Sequence, residues 1–183
     1  MPDKKLTYTQ EQQKTKPKIE DAIGDLLEGD RLKNALDFIA YLRENKVTLR
    51  WSSQNCWGVF YKSKGISNIR IRGKKQSKAY YGLEPGSWHI GRHFMTLPDD
   101  LSGEFEDAMA YEKFKEFIWA NVTPCKKCMC CAPGRNEMHL GKKFNSVCGL
   151  RIENPDAEAL EHTKKLIEYC KSVISGNAGA MQK

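Results

Sequence analysis

Four cysteines constrain the folding of this chain more than any other feature. Cys125, Cys128 and Cys131 recur at every third position, and Cys148 follows after a gap with a glycine behind it. A tight turn brings two thiolates separated by two residues toward a common point ~2.3 Å away, the usual zinc–sulfur distance. Cys131 repeats that spacing and Cys148 completes a tetrahedral shell with no position left for water. A closed shell of this kind is structural, not catalytic. Any fold must therefore return residue 148 to the 125–131 segment. Cys130 and His139 are alternates for the third ligand. Zinc is the expected cofactor, and an iron–sulfur cluster is the alternative, since two such spacings followed by a distant cysteine also hold clusters.

Disulfides fit less well. The seven cysteines are odd in number, and four of them lie between positions 125 and 131. The Lys- and Gln-rich start lacks a hydrophobic signal segment, and no stretch approaches the roughly 18–20 apolar residues of a membrane helix. The expected setting is the reducing cytoplasm, where clustered cysteines bind metal, with no membrane partner. Lys126, Lys127, Lys142 and Lys143 offset part of the negative charge of a four-thiolate zinc complex.

The rest of the chain predicts an α+β fold. Residues 1–16 are polar, basic and aperiodic, and read as a flexible arm. Ile19, Ala22, Ile23, Leu26 and Leu27 then recur at helical spacing up to Gly29, and Asp30 opens a second helix to about Asn45, with Leu32, Ala35, Leu36, Ile39 and Leu42 on one face. Beyond Asn45 the period changes to two. Trp57, Val59 and Tyr61 alternate with other residues, as do Ile69 and Ile71 with Arg70 and Arg72, so 55–72 predicts a β-hairpin turning at Lys62–Gly65. A strand follows near Ser87–Phe94, after a polar connection at 73–78. Ser102 caps a third helix to about Val122, with Phe105, Met109, Phe114, Phe117 and Ile118 on its stripe. Asn154 and Pro155 start a last helix carrying Leu160, Ile167, Cys170 and Ile174. The expected division is an arm (1–16), an α+β domain (17–122), a metal-binding Cys-rich segment with the C-terminal helix (123–175) and a tail (176–183). The predicted architecture is a small antiparallel sheet packed with helices, plus a zinc-clamped loop docked between the third and last helices.

The net charge of +7 is local. Between Glu44 and Glu84 there is no acidic residue, while that stretch holds nine of the 30 basic residues and leaves 21 basic against 23 acidic elsewhere. Trp51, Trp57, Phe60, Tyr61, Tyr80 and Tyr81 are interleaved with those charges. Positive side chains beside aromatic rings suit phosphate contact with base stacking, and Lys62, Lys64, Arg70 and Arg72 are the candidate nucleic-acid contacts. An ordinary sheet with solvated charges fits the same pattern, and no helix-turn-helix or RNA-binding signature is present. Trp51, Trp57, Trp88 and His89 are candidates for lining a small-molecule pocket. His89 and His93 would be ~13 Å apart on one strand face, too far to chelate together. Cys56 reads as a small buried residue. The glycines match neither the Walker pattern nor the dinucleotide fingerprint.

The order Cys-x-x-Cys-x-x-Cys-x-Pro-Gly, then Gly-Lys-x-Phe-x-x-x-Cys and Asn-Pro-Asp, resembles small bacterial proteins of unknown function with a Cys-rich, metal-binding C-terminal segment. The likeness covers roughly residues 117–170. The preceding hairpin is similar to small α+β domains of the kind found in competence regulators. The resemblance implies Cys131 over Cys130 as ligand, and no established activity. The chain thus reads as a zinc-stabilised binding module, regulatory or otherwise, for nucleic acid or a small molecule. A small enzyme or ligand-responsive domain with an aromatic and histidine pocket is the alternative, and an iron–sulfur redox protein is the other.

Overall fold

Helical apolar spacing and two-residue alternation meet in one core. The computed structural model describes residues 6–73, 84–91, 97–125 and 135–176. Helix α2 (Ile19–Leu26) buries Ile19, Ala22, Ile23 and Leu26, and α3 (Gly29–Glu44) buries Ala35, Phe38, Ile39 and Leu42. These side chains recur every three or four residues, so each helix presents a single stripe. That stripe meets the inward residues of β2 (Cys56–Tyr61), β3 (Lys64–Arg72) and β4 (Ser87–Gly91): Trp57 and Val59, Ile69 and Ile71, Trp88 and Ile90. Helix α5 (Ala157–Ile174) adds Leu160, Ile167 and Cys170. Asp156 caps α5 by accepting from Ala159 N at 2.9 Å, two residues beyond the expected cap at Asn154.

The sheet is antiparallel throughout its described pairings and seven-stranded, in the order β1-β2-β3-β4-β7-β5, with β6 also paired to β7. Strand β1 (Thr48–Ser53) forms the edge and alternates half-buried Leu49 and Trp51 with exposed neighbours. The β2–β3 turn falls at Lys62 and Ser63, both with positive φ (45° and 65°), the conformation that lets a two-residue hairpin turn follow the right-handed twist of its strands.

A second, smaller core lies beside the first. Helix α4 (Ala108–Ala120) buries Tyr111, Phe114 and Ile118 against Leu140, Leu150 and Leu166. The predicted third helix is shorter than expected: Ser102 starts only a 3-10 turn (Ser102–Glu104), Asp107 caps α4, and Met109 is exposed.

Two expectations are corrected. The stretch read as a flexible arm contains α1 (Tyr8–Thr15), closed by a capping box between Thr7 and Gln10. Gln12 anchors it: its Nε2 donates to Asn55 Oδ1 at 2.8 Å, and Asn55 N donates to its Oε1 at 2.9 Å. The segment read as a Cys-rich loop is strand-bearing: β5 (Val122–Pro124), β6 (Arg135–His139) and β7 (Lys142–Glu153), the last reaching β4 to join the main sheet. Leu140 and Gly141, at φ 50° and 75°, make the tight turn between β6 and β7. The 74–78 part of the polar connection, Tyr80, Tyr81, His93, Phe94 and the tail from 177 lie outside the described residues.

Candidate functional site

The register of β7 decides where the cysteines meet. Strand β5 descends β7 from Leu150 to Val147, pairing Pro124 with Val147. Strand β6 resumes at the same place, pairing Arg135 with Val147, and continues to the His139–Lys142 rung. The 126–134 connection thus leaves and re-enters the sheet at one rung. Cys125 follows Pro124, and its N–H donates to Ser146 O at 2.7 Å. Cys148 follows Val147, within a register shift between Thr123 and Pro124, beside Gly149 at φ 98°. Both cysteines are half-buried. The two ends of the predicted ligand set are therefore neighbours across a ladder. Cys128, Cys130 and Cys131 lie outside the described residues. Among the described residues no group of three or more potential metal ligands is assembled.

His139 is held elsewhere. Its rung is six residues from Cys148 along β7, roughly 20 Å for extended chain. It is buried, with its Nε2 3.0 Å from Glu137 Oε2, and its carbonyl accepts from Trp119 Nε1 at 2.9 Å. The structure does not bring this alternate ligand to Cys125 and Cys148.

The candidate nucleic-acid contacts do not form one patch. Lys62 and Lys64 sit at the turn, with Lys62 Nζ donating to Ser175 Oγ at 3.1 Å. Arg70 and Arg72 lie at the far end of β3, opposite Cys56 and Ser87 respectively. Six residues of strand from Lys64 to Arg70 amount to ~20 Å. Arg72 is only 7% exposed.

The proposed pocket lining is divided between the faces of the sheet. Trp57 and Trp88 are fully buried in the main core, where Trp57 Nε1 donates to Pro17 O at 2.9 Å and Trp88 packs on Phe38 at 6.4 Å between centroids. Trp51 packs at its margin, opposite Trp57. His89 points the other way by strand alternation. A recess of about 600 Å³ lies elsewhere, between the α4 side and the β6–β7 turn, where Lys115 and Lys142 place their ammonium groups 5.1 and 4.9 Å from the Trp119 ring. Asp100 at its rim accepts from Ser102 N and Oγ, which holds its carboxyl below the usual range.

The outward face of the main sheet is polar, and residues within it are buried. Register aligns Arg50, Gly58, Asn68, Gly91 and Arg151 in one row across five strands. The next row is Cys56, Arg70, His89 and Glu153, and Arg72 pairs with Ser87 beyond it. Asn68 is 8% and His89 4% exposed, and Cys56 is buried as expected. Asn68, Arg151 and the two glycines carry no motif, so sequence patterning missed them; only strand pairing puts them in a line.

No helix of the described residues is long and apolar enough to cross a membrane. No protein-family model, curated protein or solved structure matches the chain.

Proposed function

We propose that the chain is a metal-clamped binding module: Cys125, Cys128, Cys131 and Cys148 hold a structural zinc ion, and the main sheet offers the binding face. The observation that carries this reading is the shared Val147 rung, which sets Cys125 beside Cys148 and ties both ends of the 126–134 connection to the same point. Cys128 is only three residues from Cys125, so covalent geometry keeps their Cα atoms within ~11 Å. Zinc bound there would replace the apolar burial that this segment lacks, coupling metal affinity to local folding. The ligand class is nucleic acid or a small molecule.

Elemental analysis of freshly purified protein, with an absorption spectrum, tests the clamp. One zinc per chain in colourless protein is expected, lost in Cys148→Ser and kept in Cys56→Ser. Less than about half an equivalent of any metal would overturn the clamp, because a site coupled to folding should be filled on purification. A brown protein containing iron and sulfide would replace zinc with a cluster.

A further inference from the structure

The outward face of the sheet carries an arrangement that the metal clamp does not use. At the centre of the Arg50–Gly58–Asn68–Gly91–Arg151 row two positions have no side chain, and Gly58, Asn68 and Gly91 are all buried. On one side the Phe60 ring lies over Gly58, within 2.6 Å of where a Cβ would stand, and the Arg50 guanidinium sits 4.9 Å from the centre of that ring. On the other side is Arg151. Its Nε is 2.9 Å from Glu153 Oε1, but misaligned: Nε and Nη2 are buried without a hydrogen bond. Asn68 Oδ1, between the glycines, is buried without a donor.

Those groups specify complementary chemistry. Buried guanidinium N–H groups call for an oxyanion, which arginine binds through paired, charge-assisted hydrogen bonds. A buried amide oxygen calls for a donor, and leaving it unmet costs about 1–3 kcal/mol. The wider face supports the sign of the charge. Arg50, Arg70, Arg72 and Arg151 share these rows with one carboxylate among the described residues, Glu153, and the sequence from 45 to 83 contains no acidic residue. Gly58 to Arg151 spans three strand spacings, ~14 Å, the scale of a small molecule. The depth of Asn68 and His89 favours such a ligand over a nucleic-acid backbone, which would need the charges at the surface.

We infer that this face binds a small oxyanion that also carries a hydroxyl group, a phosphate ester or a hydroxycarboxylate, with Arg151 and Arg50 taking the anionic oxygens and Asn68 accepting from the hydroxyl. The inference deepens the binding-module reading by naming the ligand class, and it does not depend on the metal.

The test is thermal melting and calorimetric titration of the full chain at low salt. Glycerol 3-phosphate and ribose 5-phosphate form one arm, citrate a second, and glycerol and ribose the neutral controls. At least one anion should raise Tm by about 2–4 °C, the response of a chain this size to roughly 1 kcal/mol, and the neutral compounds should not. Arg50→Ala, at an exposed position, and Arg151→Met should each weaken binding about tenfold or more, as loss of a charge-assisted contact does. Melts without ligand show whether either variant is misfolded, and Arg50→Ala keeps the test decisive if Arg151→Met is. No response to any anion overturns the inference, as does a response unchanged in a folded Arg50→Ala protein. Salt-sensitive retention of a single-stranded oligonucleotide without any small-anion response also overturns it, in favour of nucleic acid. Zinc content measured on the same samples separates this failure from failure of the clamp.

Discussion

The main sheet and the hairpin that extends from it are made of the same kind of strand, but they are held together differently. Among the described residues, 20 buried apolar side chains around β2, β3 and β4, from strands, three helices and their connections, form one cluster. Around α4 and the β5–β6–β7 end of the sheet the cluster has seven, and β6 with the first half of β7 is mostly exposed. An isolated hairpin with so little apolar burial is marginal in water. Cys125 and Cys148 lie at its root, where β5 and β6 both reach Val147. Apolar area stabilises the first region, and the proposed metal would fix the second. Strand β7 belongs to both.

The largest effect should come from breaking the first region. Trp88→Ala removes a fully buried indole packed on Phe38 and should destabilise the whole chain by about 3–5 kcal/mol in urea unfolding. A loss below about 1 kcal/mol would mean the core is not what holds the sheet.

Removing the proposed zinc should separate the two regions. Chelation, or Cys148→Ser, should speed amide exchange at 122–124 and 135–147 by about tenfold or more while leaving β2 and β3 protected, as a local opening does. Uniform loss of protection would show that the regions unfold as one. No change at all would leave the hairpin without a clamp.

Between them lies the seam at Gly91. A Cβ there would stand 2.6 Å from Leu150 O and 3.1 Å from Arg151 Cα, both backbone atoms of β7. Gly91→Ala should cost about 1–3 kcal/mol, the usual range for overpacking. Gly58→Ala meets only the edge of the Phe60 ring, which can swing aside, so it should cost less. Comparing the two melts sharpens the distinction, and equal costs would show that the β4–β7 approach is not rigid.

The parts of this architecture legible in the sequence are those with a local period. Helices α2, α3 and α5 and the 55–72 hairpin announce themselves because one face of each is apolar. Helix α1 does not: its sequence, YTQEQQKT, has no stripe, and it is fixed by a capping box and by hydrogen bonds from Gln12 to Asn55, distant in the chain. Strands β6 and β7 escaped notice because Lys142, Lys143, Asn145 and Ser146 bury nothing and show no alternation. The cysteine spacing pointed to the meeting of residues 125 and 148, but the rung that joins them depends on long-range pairing. The Gly58–Asn68–Gly91–Arg151 row depends on it entirely.

The smallest effect concerns the seam between α4 and α5. His162 lies against Phe114 and Phe117, with ring centroids 5.9 and 4.9 Å away. Burial there holds its pKa below the ordinary 6.5; Glu158 and Glu161 oppose the shift, and Lys165 and Lys113 add to it. The unfolded chain therefore takes up a proton more readily than the folded one. Stability from this group is complete above pH 6.5 and declines as the pH falls through that value toward the lower folded pKa. His162→Phe removes the titration while keeping a ring against the two phenylalanines. Between pH 7.5 and pH 5, the wild-type chain should lose more stability than the variant, with other groups cancelling in the difference. An equal loss would show that the proton is accommodated without disturbing the aromatic contacts. A larger loss in the variant would mean that protonated His162 is stabilised by Glu158 and Glu161, making this seam an electrostatic contact and not a small apolar core.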